Sequence, residues 1–137
     1  MLRRSVFLAC ALALALPVAL PTLPLITMAQ AAETKEFTPA AFEAAKKAGG
    51  PILVDVTAPW CPTCKAQKPI LSELLADPRF AKMTILHVDF DSQKDALKEL
   101  GVRMQSTLIS YKGGKEVGRS TGVTDKAAIA AQLDKSI

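Results

Sequence analysis

The feature that most constrains the fold is an apolar segment that ends in two closely spaced cysteines. Residues 51–57 read PILVDVT, a run that is typical of a strand buried on both faces. Ala58-Pro59-Trp60 predicts a turn, and a helix is predicted from Cys61 to about Ala76, with leucines at helical spacing. A buried strand that passes directly into a helix is the repeating unit of an α/β protein.

The rest of the chain continues this alternation. The patterns predict further strands at Glu36-Phe37, Met83–Phe90, Thr107–Lys112 and Glu116–Ser120, and further helices from Thr38 to Ala48, from Ser92 to Leu100 and after a cap at Thr124. Gly113-Gly114 separates the last two strands and is typical of a hairpin. Alternating strands and helices favour parallel pairing, and the hairpin adds an antiparallel edge. The sequence therefore predicts a mixed central sheet with flanking helices.

The first 31 residues have a different composition. Met1–Arg4 is basic, Ser5–Met28 carries no charge, and Ala29-Gln30-Ala31 supplies the small residues that a signal peptidase recognises. We therefore predict a signal peptide at residues 1–31 and a domain at residues 32–137, exported to the periplasm or an equivalent compartment. An uncleaved membrane anchor is the alternative, because the apolar run approaches the length that spans a bilayer. Three prolines interrupt the run and favour cleavage.

The cysteines point to redox chemistry. Cys10 lies in the predicted signal peptide, so the exported domain keeps one pair, Cys61 and Cys64. A structural disulfide stabilises a fold by closing a long loop, whereas this pair encloses two residues. In an oxidising compartment such a pair is better interpreted as a redox centre. Half of a zinc site is a poor alternative, since His87 is the only other histidine or cysteine in the domain, and we predict no metal and no cofactor.

The predicted position of Cys61 suits nucleophilic attack. The thiolate is the reactive form of cysteine, and the unpaired N–H groups and dipole of a helix N-terminus stabilise negative charge. Cys64 lies one turn further along the helix, close enough to attack a mixed disulfide and release the substrate. A redox-inert disulfide in a binding module is the main alternative. Charges of mixed sign and few aromatic residues give no indication of nucleic-acid binding.

Residues 52–65, ILVDVTAPWCPTCK, resemble the active-site segment of the thioredoxin family, and the order of predicted elements fits the thioredoxin fold from about Phe37 to Leu133. The resemblance implies that Cys61 is the attacking cysteine and Cys64 the resolving one. It also implies that Trp60 lies beside the active site, where it contacts substrate.

Asp55 matches the buried acid beneath the second cysteine of the family. Because burial disfavours a charged carboxylate, this residue is suited to take the proton from Cys64 when that thiol must attack. An acid at a strand end that faces water is the alternative. His87 stands where the family usually has a lysine partner for this acid.

Two positions depart from the family pattern. Pro62-Thr63 lies between the cysteines, where reducing members usually carry Gly-Pro and strongly oxidising members Pro-His. Ser106 stands where the family places a cis-proline facing the cysteines. A cis bond before a residue other than proline costs about 2.5–4 kcal/mol, so we predict a trans Gln105–Ser106 bond. We expect Gln105 and Ser106 to form an altered substrate-binding edge, with a hydroxyl that can hydrogen-bond the thiolate.

The sequence thus predicts an exported thiol–disulfide oxidoreductase that reduces protein or small-molecule disulfides without a cofactor. A cycle of turnover needs an electron donor, for which we predict a membrane-bound partner, and we expect a monomer. Two alternatives remain at this point. A thiol oxidase would run the same exchange in reverse, and a non-catalytic binding module would use the fold as a platform.

Overall fold

The computed structural model describes residues 32–137, so the predicted signal peptide lies outside the described residues. The strands in this part of the chain are β1 (Glu33–Glu36), β2 (Ile52–Thr57), β3 (Thr84–Asp89), β4 (Thr107–Lys112) and β5 (Lys115–Thr121). The α-helices are α1 (Pro39–Ala48), α2 (Pro62–Leu75), α3 (Lys94–Glu99) and α4 (Lys126–Asp134), with a 3-10 turn at Pro78–Phe80. None of the helices within residues 32–137 has the length and apolar character needed to cross a membrane.

The five strands form one mixed sheet in the order β1-β3-β2-β4-β5. Strand β3 pairs in parallel with β1 and β2, while β4 runs antiparallel to β2 and β5. This arrangement confirms the mixed sheet predicted from the sequence. Strand β2 is central, and Ile52, Leu53, Val54 and Val56 on it have no exposed surface, as the apolar run predicted. The loop that follows β2 therefore starts from the best-anchored strand of the sheet.

Side chains alternate between the two faces of the sheet along each strand. Both faces carry buried apolar side chains, and helices cover both. Val54 and Val56 pack on one face with the apolar residues of α1 and α3. Leu53 packs on the other face with the apolar residues of α2 and α4. Asp55 follows Leu53 by two positions, so it projects toward the face that carries α2.

Local capping explains where α1 and α4 begin. The Thr38 hydroxyl accepts a 3.0 Å hydrogen bond from the Ala41 N–H, which confirms the predicted start of α1. The predicted cap of the last helix was wrong by one residue, because the Asp125 carboxylate accepts the 2.8 Å bond from the Ala128 N–H. A carboxylate at this position also interacts favourably with the helix dipole.

The structure corrects the bounds of the first strand and confirms the hairpin between the last two strands. The first strand is Glu33–Glu36 and not Glu36-Phe37; Phe37 follows the strand and is buried in the core. Gly113 and Gly114 have φ angles of 54° and 78°, the left-handed conformation that a tight hairpin requires, so the predicted hairpin is confirmed.

Candidate active site

Cys61 is the N-cap residue of α2. Its Sγ accepts a 3.0 Å hydrogen bond from the Cys64 backbone N–H, one of the groups that has no partner within the helix. Pro62 occupies the first turn, where its missing N–H costs nothing. The interaction strengthens when the sulfur becomes a thiolate, because hydrogen bonds to charged acceptors are the stronger ones. The fold thus places Cys61 where the sequence predicted a stabilised thiolate.

Cys61 and Cys64 are joined in a disulfide, with their Cα atoms 5.3 Å apart. Both are buried, with 1% and 6% of their surface exposed, and they pack with Ala58 and the half-buried Phe90. A partner sulfur must therefore reach a largely covered pair. No group of three or more His, Cys, Asp or Glu side chains within residues 32–137 is arranged to hold a metal ion.

Ser106 contacts both sulfurs from the loop before β4. Its Oγ lies 3.3 Å from Cys61 Sγ and 3.1 Å from Cys64 Sγ, and 3% of the residue is exposed. Residues 32–137 contain no cis peptide bond, so the predicted trans Gln105–Ser106 bond is confirmed. Ser106 also has a φ of 59°, the left-handed conformation that few non-glycine residues adopt and that no pattern in the sequence predicts.

The backbone of Ser106 is held by two donors. Its carbonyl oxygen accepts hydrogen bonds from the Gly122 N–H at 2.9 Å and from Gln67 Nε2 at 3.4 Å. Gln67 Nε2 also donates a 2.7 Å bond to the Val123 carbonyl. The side chain of Gln67 therefore ties the loop before β4 to the loop after β5.

Gln67 is a residue of the site that is not among those predicted from the sequence. It lies one turn after Cys64 on the inner face of α2 and is 1% exposed. The signal was present, since Cys64, Gln67 and Leu71 recur at helical spacing and Gln67 is the polar residue in that stripe. A polar residue in an apolar stripe is informative because burial requires hydrogen-bond partners.

Asp55 lies beside His87, its neighbour across the β2–β3 pairing. Asp55 Oδ2 is 3.9 Å from His87 Nδ1, and Asp55 Oδ1 is buried and accepts no hydrogen bond from residues 32–137. The carboxylate of Asp55 raises the pKa of His87 above its ordinary value of 6.5, against the opposing effect of burial. His87 Nε2 lies 3.2 Å from the hydroxyl of Thr57.

Asp55, Cys64, Gln67 and His87 line one groove of about 970 Å³ between α2 and the sheet. The structure therefore brings the predicted acid and the predicted resolving cysteine to the same cavity. The strand-end alternative, in which Asp55 faces open water, does not fit a side chain that is 18% exposed.

Trp60 and Gln105 lie on the two loops at the rim of the cysteine pair. Trp60 is 55% exposed, and its Nε1 donates a 2.8 Å hydrogen bond to Asp91 Oδ2. Gln105 is half-buried, and its neighbour Met104 is 57% exposed. Exposed apolar side chains beside a covered disulfide are suited to contact a substrate. The substrate-binding role of Trp60, Gln105 and Ser106 stays a prediction.

A disulfide whose first cysteine caps the helix after the central strand, with a serine hydroxyl in contact with both sulfurs, is the site of a thiol–disulfide oxidoreductase. The family model described as Thioredoxin matches residues 33–135. The chain therefore belongs to the thioredoxin family, and the predicted thioredoxin fold is confirmed.

Individual relatives agree with this assignment. The thioredoxin of Chlamydia muridarum (strain MoPn / Nigg) is 40% identical over 88 residues, which cover 64% of this chain and 84% of that protein. The thioredoxin of Pseudomonas aeruginosa is 37% identical over 91 residues, which cover 66% and 83%. Among solved structures, Trxlp from Edwardsiella tarda EIB202 is 44% identical with a TM-score of 0.72, and the match covers 74% of this chain and 98% of that one.

Proposed function

We propose that this protein reduces protein or small-molecule disulfides in an exported compartment. The position of Cys61 at the N-cap of α2 carries the proposal, because the N–H of Cys64 already points at the sulfur that must bear negative charge. The relatives from Chlamydia muridarum and Pseudomonas aeruginosa are named thioredoxins. A further relative in Mycobacterium leprae, 35% identical over 101 residues, is named bifunctional thioredoxin reductase/thioredoxin, which supports a cycle that depends on a reducing partner.

The reduction of a substrate proceeds in two exchanges. The Cys61 thiolate attacks one sulfur of the substrate disulfide, a mixed disulfide forms, and the first substrate thiolate leaves. Cys64 then loses its proton and attacks Cys61 Sγ, which breaks the mixed disulfide and releases the second substrate thiolate. Two electrons pass from the cysteine pair to the substrate, and the pair ends as the disulfide present in the structure.

Asp55 is the proposed base in the second exchange. Cys64 is buried and needs a base within the protein, and Asp55 lines the same groove with an oxygen that accepts no hydrogen bond from residues 32–137. His87 Nδ1 lies 3.9 Å from Oδ2, the other carboxylate oxygen of Asp55. We assign Asp55 the transfer of the Cys64 proton and His87 the positioning of Asp55.

The proposed compartment and the proposed partner rest on the composition of the predicted signal peptide, residues 1–31. A basic start, an uncharged apolar run and Ala29-Gln30-Ala31 support export of residues 32–137 to the periplasm. An exported reductase must receive electrons across the membrane, so a membrane-bound dithiol protein is the proposed donor. The proposed functional unit is a monomer.

Reduction of insulin by dithiothreitol, followed as turbidity, tests the exchange. Cys61→Ser should abolish the catalysed rate because the attacking sulfur is lost, whereas Cys64→Ser should accumulate mixed disulfides because resolution fails. Ala66→Ser, at an exposed position of the same helix, is the matched control and should keep the wild-type rate. Full activity in both cysteine variants would exclude this pair as the reactive centre. Faster oxidation of a dithiol substrate than reduction of insulin would favour the oxidase.

A further inference from the structure

The hydroxyl of Ser106 is placed between the two reacting sulfurs. Its distances to Cys61 Sγ and Cys64 Sγ are 3.3 and 3.1 Å, so it can donate to either with a small rotation about one bond. We propose that Ser106 is a catalytic residue that donates its hydrogen bond to whichever sulfur carries negative charge. Gln67 is the positioning residue that holds it there. This role rests on the exchange at Cys61 and Cys64 and holds for either direction of electron flow.

The hydrogen bond is worth more when the pair is reduced. A disulfide sulfur is a weak acceptor, whereas a thiolate is a charged one, and charge-assisted hydrogen bonds are about twice as strong as neutral ones. Ser106 is 3% exposed, so little water competes for the same sulfur. The hydroxyl therefore stabilises the thiolate more than the disulfide, which shifts the redox equilibrium toward the reduced pair and raises the fraction of cysteine present as the reactive thiolate.

Each exchange contains a step that this donor assists. In the attack on substrate, the hydroxyl stabilises the Cys61 thiolate before its electron pair forms the new S–S bond. When a reduced donor thiolate attacks Cys61 Sγ, the Cys61–Cys64 bond breaks and its electron pair passes to Cys64 Sγ, where the same hydroxyl donates. Ser106 keeps its proton throughout, and the proton that Cys64 gains or loses passes through Asp55.

The backbone of Ser106 is held in the conformation that this contact needs. A left-handed φ of 59° is strained for serine and persists only where the surrounding structure enforces it. The Gly122 N–H and Gln67 Nε2 enforce it through the Ser106 carbonyl. Because Gln67 lies on α2, the hydroxyl is anchored to the same helix that carries both cysteines.

Two substitutions at Ser106 separate chemistry from backbone strain. Ser106→Ala removes the hydroxyl and keeps the Cβ, while Ser106→Gly removes the hydroxyl and also relieves the positive φ. Both should shift the equilibrium with glutathione about tenfold toward the disulfide, which corresponds to about 30 mV for a two-electron couple. Ser106→Thr restores a hydroxyl and should recover most of the shift, although a β-branched residue at this φ lowers stability.

The pH dependence gives a signature that a structural role would not produce. The ultraviolet absorbance of the thiolate should appear at a pH about one unit higher in Ser106→Ala and Ser106→Gly than in the wild type. The shift in redox equilibrium should shrink at acidic pH, where both cysteines are thiols and the hydrogen bond is no longer charge-assisted. If Ser106 served the backbone alone, the glycine variant would match the wild type in both measurements.

Gln67 has a matched control in Gln93. Gln93 also bridges backbone groups, accepting from the Asp89 N–H and donating to the Phe37 carbonyl, both at 2.8 Å. Gln67→Met should move the redox equilibrium in the same direction as Ser106→Ala, by less than tenfold, with little further change when the two are combined. Gln93→Met should lower stability and leave the redox equilibrium unchanged.

The outcomes distinguish this role from the exchange on which it rests. If Cys61→Ser abolishes insulin reduction while Ser106→Ala and Ser106→Gly both keep the wild-type redox equilibrium and thiolate absorbance, Ser106 is not a catalytic donor. A shift in Gln93→Met equal to that in Gln67→Met would exclude a specific positioning role for Gln67. Full activity of Cys61→Ser would instead overturn the proposed function itself.

Discussion

The interaction of His87 with Asp55 should make the stability of the oxidised protein depend on pH. Asp55 raises the pKa of His87 above its ordinary value of 6.5, and Glu36 and Asp89 raise it further through their charges. The unfolded chain has the ordinary value. The protonated histidine therefore stabilises the folded state fully below about pH 6.5, and this contribution is lost as the pH rises through the raised pKa.

The geometry sets the size of the effect. At the 3.9 Å between His87 Nδ1 and Asp55 Oδ2, the Coulomb attraction is about 1 kcal/mol in water and about 4 kcal/mol at an effective dielectric constant of 20. The histidine side chain is 34% exposed and the aspartate 18%, so solvent screens the pair and desolvation offsets part of the attraction. We expect a net contribution of about 1 kcal/mol.

Urea unfolding of the oxidised protein at several pH values measures the effect. The oxidised form is used because disulfide-bonded cysteines do not titrate and so add no pH dependence of their own. The difference in the free energy of unfolding between the wild type and His87→Gln should fall by about 1 kcal/mol as the pH rises from about 6 to about 8.5. Thr57→Val removes the hydroxyl beside His87 Nε2 without changing charge and should keep the wild-type pH dependence. An unchanged pH dependence in His87→Gln would refute the assignment of the effect to this pair.

Three further predictions concern other parts of the molecule. Cleavage of the predicted signal peptide should give a protein that begins near Ala32 by N-terminal sequencing, whereas an intact Met1 in the membrane fraction would favour the anchor. Asp55→Asn should slow release of the mixed disulfide more than its formation in stopped-flow measurements, because the buried second thiol needs the base; equal slowing would place Asp55 outside the proton path. Ser106→Pro should lower the free energy of unfolding in urea by about 1–3 kcal/mol, because proline fixes φ near −65° where the loop has 59°. An unchanged unfolding midpoint would show that the loop adapts without cost.

The fold was predictable because its strongest signals are local. The PILVDVT run predicts the central strand from adjacent residues alone. Thr38 predicts the start of α1 because its hydroxyl accepts a hydrogen bond from a residue only three positions later. The cap of α4 was misplaced because Thr124 and Asp125 are both good capping residues. Only the hydrogen bond to Ala128 distinguishes them, and that bond depends on backbone geometry.

The site was predictable only in part, because some of its contacts are local in sequence and others are not. The spacing of Cys61 and Cys64 and their place after a strand are visible in adjacent residues. The contact of Ser106 with Cys61 joins residues 45 positions apart, and the bond from Gln67 to Val123 spans 56 positions. Such contacts depend on how the loops at the end of the sheet are packed, so helical periodicity can indicate that Gln67 is buried but cannot identify its partners. The family resemblance located Ser106, but neither its positive φ nor its partner Gln67.

The backbone of Ser106 explains why a hydroxyl and not a proline ring contacts the sulfurs. Proline fixes φ near −65°, so it cannot occupy the backbone that has φ of 59° at this position. In that backbone the carbonyl of Ser106 accepts from Gly122 and Gln67, while its Oγ reaches both cysteines. The polarity at the sulfurs and the anchoring of the loop therefore depend on one network. Since Gln67 extends that network into the helix capped by Cys61, loss of the Ser106 hydroxyl or of the Gln67 amide should alter the redox equilibrium.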